Sequence, residues 1–500
     1  MNRPRLLIAN RGEIAIRIIR ACRDLDVSPV AVYSDTDRMS LHVRLADAAV
    51  HIGPAPARES YLVPAKLIAA AKKTGATLVH PGYGFLAENA AFAQAVLDAG
   101  LVWVGPTPAS ISAMGSKTAS RAKVMAAGVP VVPGMTTPAK GPDEIAAFGA
   151  KNGFPILLKA AAGGGGKGMR IVRSRDEIPA AFARAQSEAT SYFADPAVYA
   201  ELYVEEARHI EIQVLGDTTG KVIALGEREC SLQRRHQKVL EECPSAAVTP
   251  ELRARMEEVA VAAAKAVNYV SAGTVEFLLA KDGRFFFLEM NTRIQVEHPV
   301  TEVVYGVDLV TEMIRIARGE PMSIARRPEP RGHALQCRIY AEDPARGFAP
   351  SPGKIRRLRR PQGPGVRVDS GVEEGDVVPL DYDPMLAKFV IWGRDRDEAI
   401  RRARRALAEA RVEGIETSIP FFLAMLEDPD FLANRVHTQF LDTWSYRARE
   451  ESEEQRTAAL VAAALDAAHA SRTTRPPAGE PAGRGLSAWR TARPTFGVRE

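Results

Sequence analysis

Short apolar segments alternate with amphipathic helices along the first 115 residues of the 500-residue chain. Apolar runs such as Leu6–Ala9 and Val30–Tyr33 have the length of buried strands. The segment Glu13–Leu25 instead repeats apolar residues at helical spacing, beginning with Ile14 and Ile18. On the same grounds the pattern predicts three more strands and two more helices: Ala49–Ile52, Leu78–Val79, Val102–Val104, Ala65–Lys73 and Ala90–Ala99. This βαβ order predicts a parallel sheet covered by helices.

Two polar loops follow the ends of predicted strands in this region. Asn10–Glu13 forms the first strand-to-helix turn and lacks the GxGxxG spacing, so we expect no dinucleotide site there, despite Asp35 and Asp37 after the second strand. The loop His80–Asn89 also follows a strand end, where open α/β sheets bind ligands. Its Pro-Gly composition is equally typical of a rigid turn, so both interpretations stay open.

Residues 116–331 predict a second region, with a small α+β lobe over residues 130–204 that folds down over a nucleotide. The elements predicted there are helices at 118–127, Asp143–Lys151 and Glu177–Thr190 and strands at Val131–Val132, Ile156–Leu158 and Val198–Val204. The lobe rejoins the larger body at Glu201–Val204. We expect a hinge there, whose backbone groups would face an adenine ring.

A glycine-rich run, KAAAGGGGKGM, occupies residues 159–169 between two apolar strands of this lobe. Glycine has no Cβ, so backbone N–H groups in such a run can approach a multiply charged anion. Lys159 and Lys167 add cations, and together these features favour a mobile lid over nucleotide phosphates. The run is not a Walker A loop, because Gly168 and not Ser or Thr follows Lys167. The alternative is a disordered linker, which the flanking strands argue against.

Two polar segments follow the lobe. The alternating segment His209–Val214 places its His, Glu and Gln on one face, which favours either a cleft wall or a solvated sheet face. The segment Glu229–Lys238 is rich in hydrogen-bond donors, and we interpret it first as a surface loop. Its Gln, His and Lys would also suit an oxyanion or nucleotide site.

Residues 272–293 predict a β-hairpin with two facing carboxylates. Asp282-Gly283 is a favoured two-residue turn, which would pair Leu279 with Phe286 and Glu276 with Glu289. Directly opposed side chains lie roughly 5 Å apart, and like charges at that distance destabilise a hairpin. A divalent cation held by carboxylates and nucleotide phosphates would reverse that penalty. Asn291 and Arg293 follow on the same face. Two exposed glutamates are the alternative.

The last part of the chain predicts a third α+β region and an extension. His333–Tyr340 alternates, and further strands at Val366–Val368 and Met385–Trp392 precede a helix at Arg396–Ala410. We place this region at residues 332–447. Residues 448–500 follow as an Ala-rich helix at 454–470 and a flexible tail, in which Leu486–Phe496 could be a docking peptide.

Composition and charge favour a globular protein and argue against a membrane span or a nucleic-acid partner. The chain is 46% hydrophobic and 25% charged, as in globular proteins, with a net charge of +5. The basic cluster Arg401–Arg405 lies in a helical pattern, so a solvated helix face is the better interpretation and nucleic-acid contact the poorer one. No apolar run reaches about 18 residues, and residues 1–10 lack a signal-peptide core, so we expect a cytoplasmic protein without a membrane span. The four scattered cysteines predict reduced thiols.

Eight motifs in order along the chain resemble those of biotin carboxylase, the ATP-grasp component of biotin-dependent carboxylases. They are NRGEIA (10–15), HPGYGFLAEN (80–89), GSK (115–117), KAAAGGGGKGMR (159–170), RHIEIQ (208–213), ECSLQRRHQKV (229–239), FLEMNTRIQVEHPVTE (287–302) and RIYAEDP (338–344). The resemblance covers the chain from Arg5 to Asp442. It implies an N-terminal parallel α/β domain at 1–115, an ATP-grasp domain with a mobile lid at 116–331 and an α+β C-terminal domain at 332–447.

The resemblance also implies the ligands and the residues that hold them. The phosphates of ATP would be bound by Lys117, Lys159, Gly163, Gly164, Gly165, Gly166, Lys167 and Gly168. The adenine ring would be bound by Glu201, Leu202, Tyr203 and Val204, and the ribose would lie beside His209, Gln233 and His236. Mg²⁺ (or Mn²⁺) would be held by Glu276, Glu289 and Asn291. Bicarbonate would be enclosed by Lys238, Arg293, Gln295 and Val296, with Glu297 as general base. Arg338 and Tyr83 would face biotin, with the turn Asp381–Pro384 near the carboxylation site.

The chain contains no Met-Lys-Met biotin acceptor, so we expect biotin on a separate carrier protein. A homodimer and a partner carboxyltransferase are further expectations from the family. Two alternatives stay open: another ATP-grasp ligase that activates formate or an amino acid, and a nucleotide-sensing protein without catalysis. The sequence leaves the final acyl-CoA or keto-acid acceptor undetermined.

Overall fold

The structure, a computed structural model, describes residues 3–115, 117–161, 169–193, 195–447 and 453–473. The predicted lid residues 163–168 and the tail beyond 473 lie outside these ranges, as does the side chain of Lys117. Contacts within the chain divide it into two units, Met1–Tyr446 and Arg447–Glu500. Within the described residues, no helix combines the length and apolar character that crossing a membrane requires.

The first region is a five-stranded parallel sheet with strand order 3-2-1-4-5. Its strands are β1 (Arg5–Ile8), β2 (Ser28–Ser34), β3 (Ala48–Gly53), β4 (Leu78–His80) and β5 (Val102–Trp103), and its helices are α1 (Gly12–Asp24), α2 (Leu41–Leu45), α3 (Pro64–Thr74), α4 (Ala90–Asp98) and α5 (Pro108–Gly115). Side chains of β1 alternate between two cores: Leu6 and Ile8 pack with α1, whereas Leu7 packs with α3 and α4. The predicted parallel α/β region is therefore confirmed.

The strand order places a topological switch point between β1 and β4. At their carboxyl ends the Asn10 amide donates to the carbonyl oxygens of Pro81 at 2.7 Å and Tyr83 at 2.8 Å. The two polar loops predicted from the sequence are therefore tied together at the edge where doubly wound sheets bind ligands.

A small lobe follows, built on a three-stranded antiparallel sheet of order 7-6-8. Its elements are α7 (Pro142–Asn152), β6 (Ile156–Ala160), β7 (Arg170–Val172), α8 (Ile178–Phe193) and β8 (Val198–Leu202). The helix α6 (Lys117–Ala126) precedes the lobe, and its Val124 packs in a different core, with Ile210 and Met256. The strand predicted at Val131–Val132 is wrong: Val131 forms only an isolated bridge with Phe287. The lobe has its own core, in which Ile156, Leu158 and Val198 are fully buried.

The largest sheet has eight strands in the order 13-12-9-10-11-14-21-19. Its strands, in chain order, are β9 (Arg208–Gly216), β10 (Val222–Arg234), β11 (Gln237–Cys243), β12 (Ser271–Leu279), β13 (Phe285–Asn291), β14 (His333–Tyr340), β19 (Val366–Ser370) and β21 (Met385–Gly393). The helices of this part of the chain are α9 (Pro250–Lys265), α10 (His298–Tyr305), α11 (Leu309–Ala317), α12 (Arg396–Glu409), α13 (Ile419–Met425), α14 (Pro429–Leu432) and α15 (Phe440–Thr443). Three separate two-stranded sheets pair β15 (Glu342–Asp343) with β16 (Ala349–Pro350), β17 (Gly353–Lys354) with β20 (Val377–Val378), and β18 (Arg357–Arg359) with β22 (Arg411–Glu413). This sheet continues across residue 331, where the sequence predicts a boundary between regions, because β11 pairs with β14.

The basic cluster on α12 lies on a solvated helix face, as predicted. Ala403 and Leu407 are buried, while Arg401 and Arg405 are exposed. All four cysteines are free and buried. In the second unit, α16 (Glu453–Thr473) confirms the predicted Ala-rich helix.

Candidate active site

The hairpin of β12 and β13 has the predicted Glu276–Glu289 pair, but it reaches that register by a different route. Ala280 donates to Arg284, which makes the loop one residue longer than predicted, and Leu279 pairs with Phe285 and not with Phe286. A β-bulge between Glu276 and Phe277 then shifts the register back. The predicted two-residue turn is therefore wrong, and the bulge compensates for it.

The two facing carboxylates lie in different surroundings. Glu276 is 4% exposed, whereas Glu289 is exposed on the wall of a cavity. One oxygen of Glu276 accepts from the Asn291 amide at 2.9 Å and the Gln295 amide at 2.8 Å. The alternative of two exposed glutamates is therefore wrong, because Glu276 is buried.

A row of charged residues that includes Glu276 and Glu289 crosses four adjacent strands of the large sheet. Arg228 on β10 lies opposite Glu211 on β9, Glu211 opposite Glu276 on β12, and Glu276 opposite Glu289. The face that carries His209, Glu211 and Gln213 is buried, so the solvated-sheet interpretation is wrong, and the cleft wall stays a prediction.

The segment Glu229–Lys238, interpreted from the sequence as a surface loop, is instead the hairpin between β10 and β11. Arg235 and His236 form its exposed turn, both with positive φ. Gln233 is buried and donates to the Cys230 carbonyl at 2.9 Å. Two paired strands leave the backbone polar groups satisfied, which allows the hairpin to carry charged side chains inward.

Lys238 is the centre of what we call the charged cluster, defined by Arg228, Lys238, Arg338, Glu211, Glu241, Glu276 and Glu297. The Lys238 ammonium lies 2.5 Å from Glu211, 2.8 Å from Glu276 and 2.8 Å from Glu297. Burial would lower the pKa of this ammonium, but the three carboxylates outweigh burial and hold its pKa well above the usual value. Lys238 is therefore a fixed cation.

Glu297 bridges Lys238 and Arg338, whose guanidinium donates to it at 2.9 Å. Burial would raise the pKa of Glu297, but these two cations hold it well below its usual value. Glu297 is thus ionised and able to accept a proton, as a general base must be. Arg338 also donates to Glu241 at 2.5 Å.

Arg228 is the residue of the cluster that is hardest to select from sequence alone. It is fully buried and donates to Gln213, Thr301, Thr274 and Gln295 at 2.7 to 3.0 Å, and also to Glu211. Five donors in a rigid planar fork suit such a hub. In the sequence, the polar residue at every second position of the neighbouring strand β9 is the feature that could indicate a buried cationic partner on β10.

The first cavity, of about 500 Å³, lies between the small lobe and the large sheet. It is lined by the predicted adenine-facing residues Glu201, Leu202, Tyr203 and Val204 together with Lys159, Arg121, Phe287 and Glu289. Lys159 lies 2.5 Å from Glu201, and Arg121 binds the other Glu201 oxygen at 2.9 Å. Arg121 was not selected from the sequence.

The second cavity, of about 550 Å³, opens at the switch point of the parallel sheet. It is lined by Asn10, Arg11, Gly12, Glu13, Tyr83, Phe85, Arg293, Val296, Arg338, Tyr340, Asp381, Tyr382 and Asp383, among others. The predicted residues Tyr83, Arg293, Val296 and Arg338 therefore share one cavity. Arg293 is held by Glu88 at 2.9 Å and donates to Asn291 at 2.9 Å, which links this cavity to the hairpin.

The donors around the hairpin fit a magnesium ion in type. Carboxylate and amide oxygens are the hard ligands that Mg²⁺ prefers, and Glu289 presents its carboxylate at the first cavity. Glu276 is ionised, because burial, which would raise its pKa, is outweighed by Lys238 and His209. His209 lies 3.2 Å from Glu276.

Three family models match the chain in succession. They are the biotin carboxylase N-terminal domain over residues 2–111, the carbamoyl-phosphate synthase L chain ATP-binding domain over residues 116–325, and the biotin carboxylase C-terminal domain over residues 336–443. The parallel sheet, the lobe and the charged cluster fall within these matches. Fold and site together define a ligase of the ATP-grasp class.

Curated relatives and solved structures agree. Biotin carboxylase 1 of Bacillus subtilis is 50% identical over 442 residues, 88% of this chain and 98% of that protein. The biotin carboxylase of a Nostoc species is 49% identical over 442 residues, 88% of this chain and 99% of that protein. A biotin carboxylase from Campylobacter jejuni in a beta-gamma-ATP complex superposes with a TM-score of 0.84 at 42% identity, covering 89% of this chain and 99% of that one. The chain belongs to the biotin carboxylase family.

Proposed function

We propose that the chain uses ATP and bicarbonate to carboxylate biotin carried on a separate protein. The observation that carries this proposal is the position of the charged cluster between the two cavities. Its Glu276 lies opposite Glu289, which lines the first cavity, and its Arg338 lines the second. A reaction that joins phosphoryl transfer to carboxyl transfer needs two neighbouring binding spaces of this kind.

The first cavity would bind the nucleotide. Its volume, its apolar walls and the backbone of Glu201–Val204 suit an adenine ring, and Lys159 lies beside it. By family resemblance, Lys117 and residues 163–168 would hold the phosphates, with His209, Gln233 and His236 on the ribose side. Phosphoryl transfer depends mainly on positioning and charge neutralisation, which such a set of donors supplies.

Glu276, Glu289 and Asn291 would hold Mg²⁺ or Mn²⁺. The ion, when bound, neutralises charge on the β- and γ-phosphates during transfer. The protein's part is to present hard oxygen ligands on a rigid hairpin. The row from Arg228 to Glu289 and the amide contacts of Asn291 and Gln295 provide that rigidity.

Bicarbonate would bind among Lys238, Arg293, Gln295 and Val296. Glu297 would take its proton while a bicarbonate oxygen attacks the γ-phosphorus and ADP leaves, which yields carboxyphosphate. Both cations on Glu297 lower its proton affinity, so one of them must turn toward the substrate as the proton moves. Carboxyphosphate then breaks into CO₂ and phosphate next to biotin.

Biotin would enter the second cavity beside Tyr83. Arg338, whose pKa is held well above its usual value by Glu241 and Glu297 against the lowering effect of burial, is a permanent cation there. It would stabilise the enolate-like oxygen that develops when N1′ loses its proton to phosphate. The N1′ nitrogen then bonds the carbon of CO₂.

We further propose three domains at 1–115, 116–331 and 332–447, with a second copy of this chain, a carrier protein and a carboxyltransferase as partners. The carrier protein and the carboxyltransferase are inferred from the family resemblance. The biotin carboxylase domain of 2-oxoglutarate carboxylase from Hydrogenobacter thermophilus, with a TM-score of 0.82 and 43% identity over 88% of this chain and 97% of that one, is a domain dimer in complex with MgADP and bicarbonate. That dimer supports the second copy.

The test measures ADP release and carboxybiotin formation with ATP, Mg²⁺, labelled bicarbonate and either free biotin or a biotinylated carrier. We expect both products, with ADP release dependent on bicarbonate. Stimulation by formate or an amino acid instead of bicarbonate would identify another ATP-grasp ligase. Nucleotide binding without turnover under any of these conditions would indicate a nucleotide-sensing protein.

A further inference from the structure

A fully buried lysine on β21 connects three distant parts of the chain. The ammonium of Lys388 lies 3.0 Å from Glu13 on α1 and donates to the Val296 carbonyl at 3.0 Å. It also lies 5.8 Å from the centre of the Tyr83 ring. Lysine is almost never fully buried without partners, so a position like this one has a specific reason.

Glu13 completes the arrangement from the other side. Its side chain is 2% exposed, and one carboxylate oxygen faces Lys388 while the other accepts the Tyr83 hydroxyl. Burial raises the pKa of Glu13 to about 7, against the lowering effect of Lys388. Burying both members of an ion pair is costly, so packing alone gives no reason to keep this pair.

The neighbours of Lys388 in the sheet are charged as well. Arg338 lies opposite it on β14, and Asp369 lies opposite it on β19. Asp369 pairs with Arg367 at 2.8 Å and not with Lys388. The contacts of the Lys388 ammonium with Glu13, Val296 and Tyr83 therefore all lead to the second cavity.

Glu13, Tyr83 and Val296 line that cavity. Under the proposed function, on which this inference rests, Tyr83 faces biotin and Val296 faces bicarbonate. These two residues stand on different loops, one after β4 and one after β13. Glu13 holds Tyr83 by accepting its hydroxyl, and Lys388 holds Val296 by donating to its carbonyl. The ion pair therefore sets the distance between Tyr83, which we call the biotin wall, and Val296, which we call the bicarbonate wall.

We propose that Glu13 and Lys388 are positioning residues that hold the biotin wall and the bicarbonate wall of the second cavity in register. Neither needs to touch a substrate. When the pair is broken, carboxyphosphate still forms and breaks into CO₂ and phosphate, but CO₂ diffuses away before N1′ bonds it. The signature is uncoupling: phosphate release continues while carboxybiotin formation falls.

The test uses Lys388→Met and Glu13→Gln in the full chain with ATP, Mg²⁺, labelled bicarbonate and biotin. The measured quantity is phosphate released per carboxybiotin formed. We expect this ratio to rise by about tenfold or more in Lys388→Met, since displacements near 1 Å can cost about a hundredfold in productive encounters. Glu13→Gln keeps an acceptor for Tyr83 but loses the charge, so a smaller rise is expected.

Lys281→Met is the matched control, because Lys281 forms an exposed ion pair with Glu206, with side chains 71% and 50% exposed. Its ratio should equal that of the parent protein. If both rates fall together in Lys388→Met with an unchanged ratio, the pair is only structural and the proposal is wrong. If Lys388→Met does not fold, the single variants Glu13→Gln and Tyr83→Phe are compared with the variant that carries both changes. Effects on the phosphate-to-carboxybiotin ratio that do not add in the double variant support the proposal, and additive effects contradict it.

This outcome is separable from that of the proposed function. Absence of bicarbonate-dependent ADP release in the parent protein would overturn the proposed function itself. An active parent with coupled turnover in both variants would overturn only the positioning role.

Discussion

The first cavity and the charged cluster are neighbours built on different principles. In the first cavity, Lys159 and Arg121 are each 19% exposed and share one carboxylate, Glu201. In the cluster, Arg228 and Glu211 are fully buried and Glu297 is 2% exposed. Charges removed from water interact more strongly and are harder to rearrange. The cluster is therefore organised before substrates bind, whereas the cavity can adjust around a ligand.

The cluster also carries one carboxylate more than it has cations, with four glutamates and three basic residues. The excess shows at Glu241, where burial and the nearby Glu297 raise the pKa to about 7 against the lowering effect of Arg338. Protonation of Glu241 would leave three carboxylates facing three cations in the cluster.

The largest expected effect is on catalysis within the cluster. Glu297→Gln keeps the shape of the side chain but removes the proton acceptor, so kcat should fall about 10²- to 10⁴-fold. Steady-state ADP release measures it. A loss below about threefold would show that another group takes the bicarbonate proton.

Arg228→Met tests how much of the cluster's rigidity comes from its hub. Removing one member of a buried ionic network typically costs about 3–5 kcal/mol in the free energy of unfolding. The matched change in the first cavity, Arg121→Met, should cost about 1 kcal/mol because its partner is also held by Lys159. Urea denaturation of both variants compares them, and equal losses would remove the distinction between the two regions.

Glu242 extends the comparison, because this buried carboxylate follows Glu241 on β11 but is not a member of the charged cluster. Burial would raise its pKa, but hydrogen bonds from His333 and Arg396 lower it to about 2, below its ordinary value of 4.5. Its contribution to stability is thus present above pH 4.5 and is lost as the pH falls toward 2.

A shift of this size corresponds to about 3 kcal/mol of unfolding free energy. Unfolding measured at intervals from pH 7 to pH 3 should therefore show a shallower acid slope in Glu242→Gln than in the parent. Identical slopes would mean that this carboxylate does not contribute to the acid sensitivity.

The smallest effect is expected at the first cavity. Tyr203→Ala removes part of the apolar wall, so the KM for ATP should rise about tenfold, equivalent to about 1.4 kcal/mol of lost burial, with kcat within about twofold. ATP titrations of initial rate measure both. A fall in kcat at constant KM would assign Tyr203 to the chemistry and not to binding.

Local patterns predicted the elements well where periodicity was strong. The five parallel strands follow from short apolar runs between helices of period 3.6, and the alternating faces of β9 and β14 follow from a period of two. The facing of Glu276 and Glu289 was right although the turn was not, because a longer loop and a bulge shift the register in opposite directions. A bulge depends on packing against the neighbouring strand, which the sequence of one hairpin does not reveal.

Prediction from sequence failed where polar residues are buried in the structure. The polarity of Glu229–Lys238 predicts a surface loop, because polar residues are usually exposed. In the structure, carboxylates on β9, β12 and the loop after β13 neutralise the charge of its Lys238. Lys388 was missed for the same reason: its partners are Glu13 and Val296, far away in the sequence. Motif resemblance identified Lys238, Glu297 and Arg338, but the residues that hold them in place became visible only in three dimensions.

We expect the charged cluster to supply the proton transfer of the reaction, whereas the first cavity binds the nucleotide. Calorimetric titration of MgADP into Glu297→Gln tests it most directly, with the parent protein titrated alongside. We expect a Kd within about twofold of the parent value in a variant whose turnover has fallen at least about a hundredfold. A Kd weakened tenfold or more would contradict it, because cavity and cluster would then be one energetic unit.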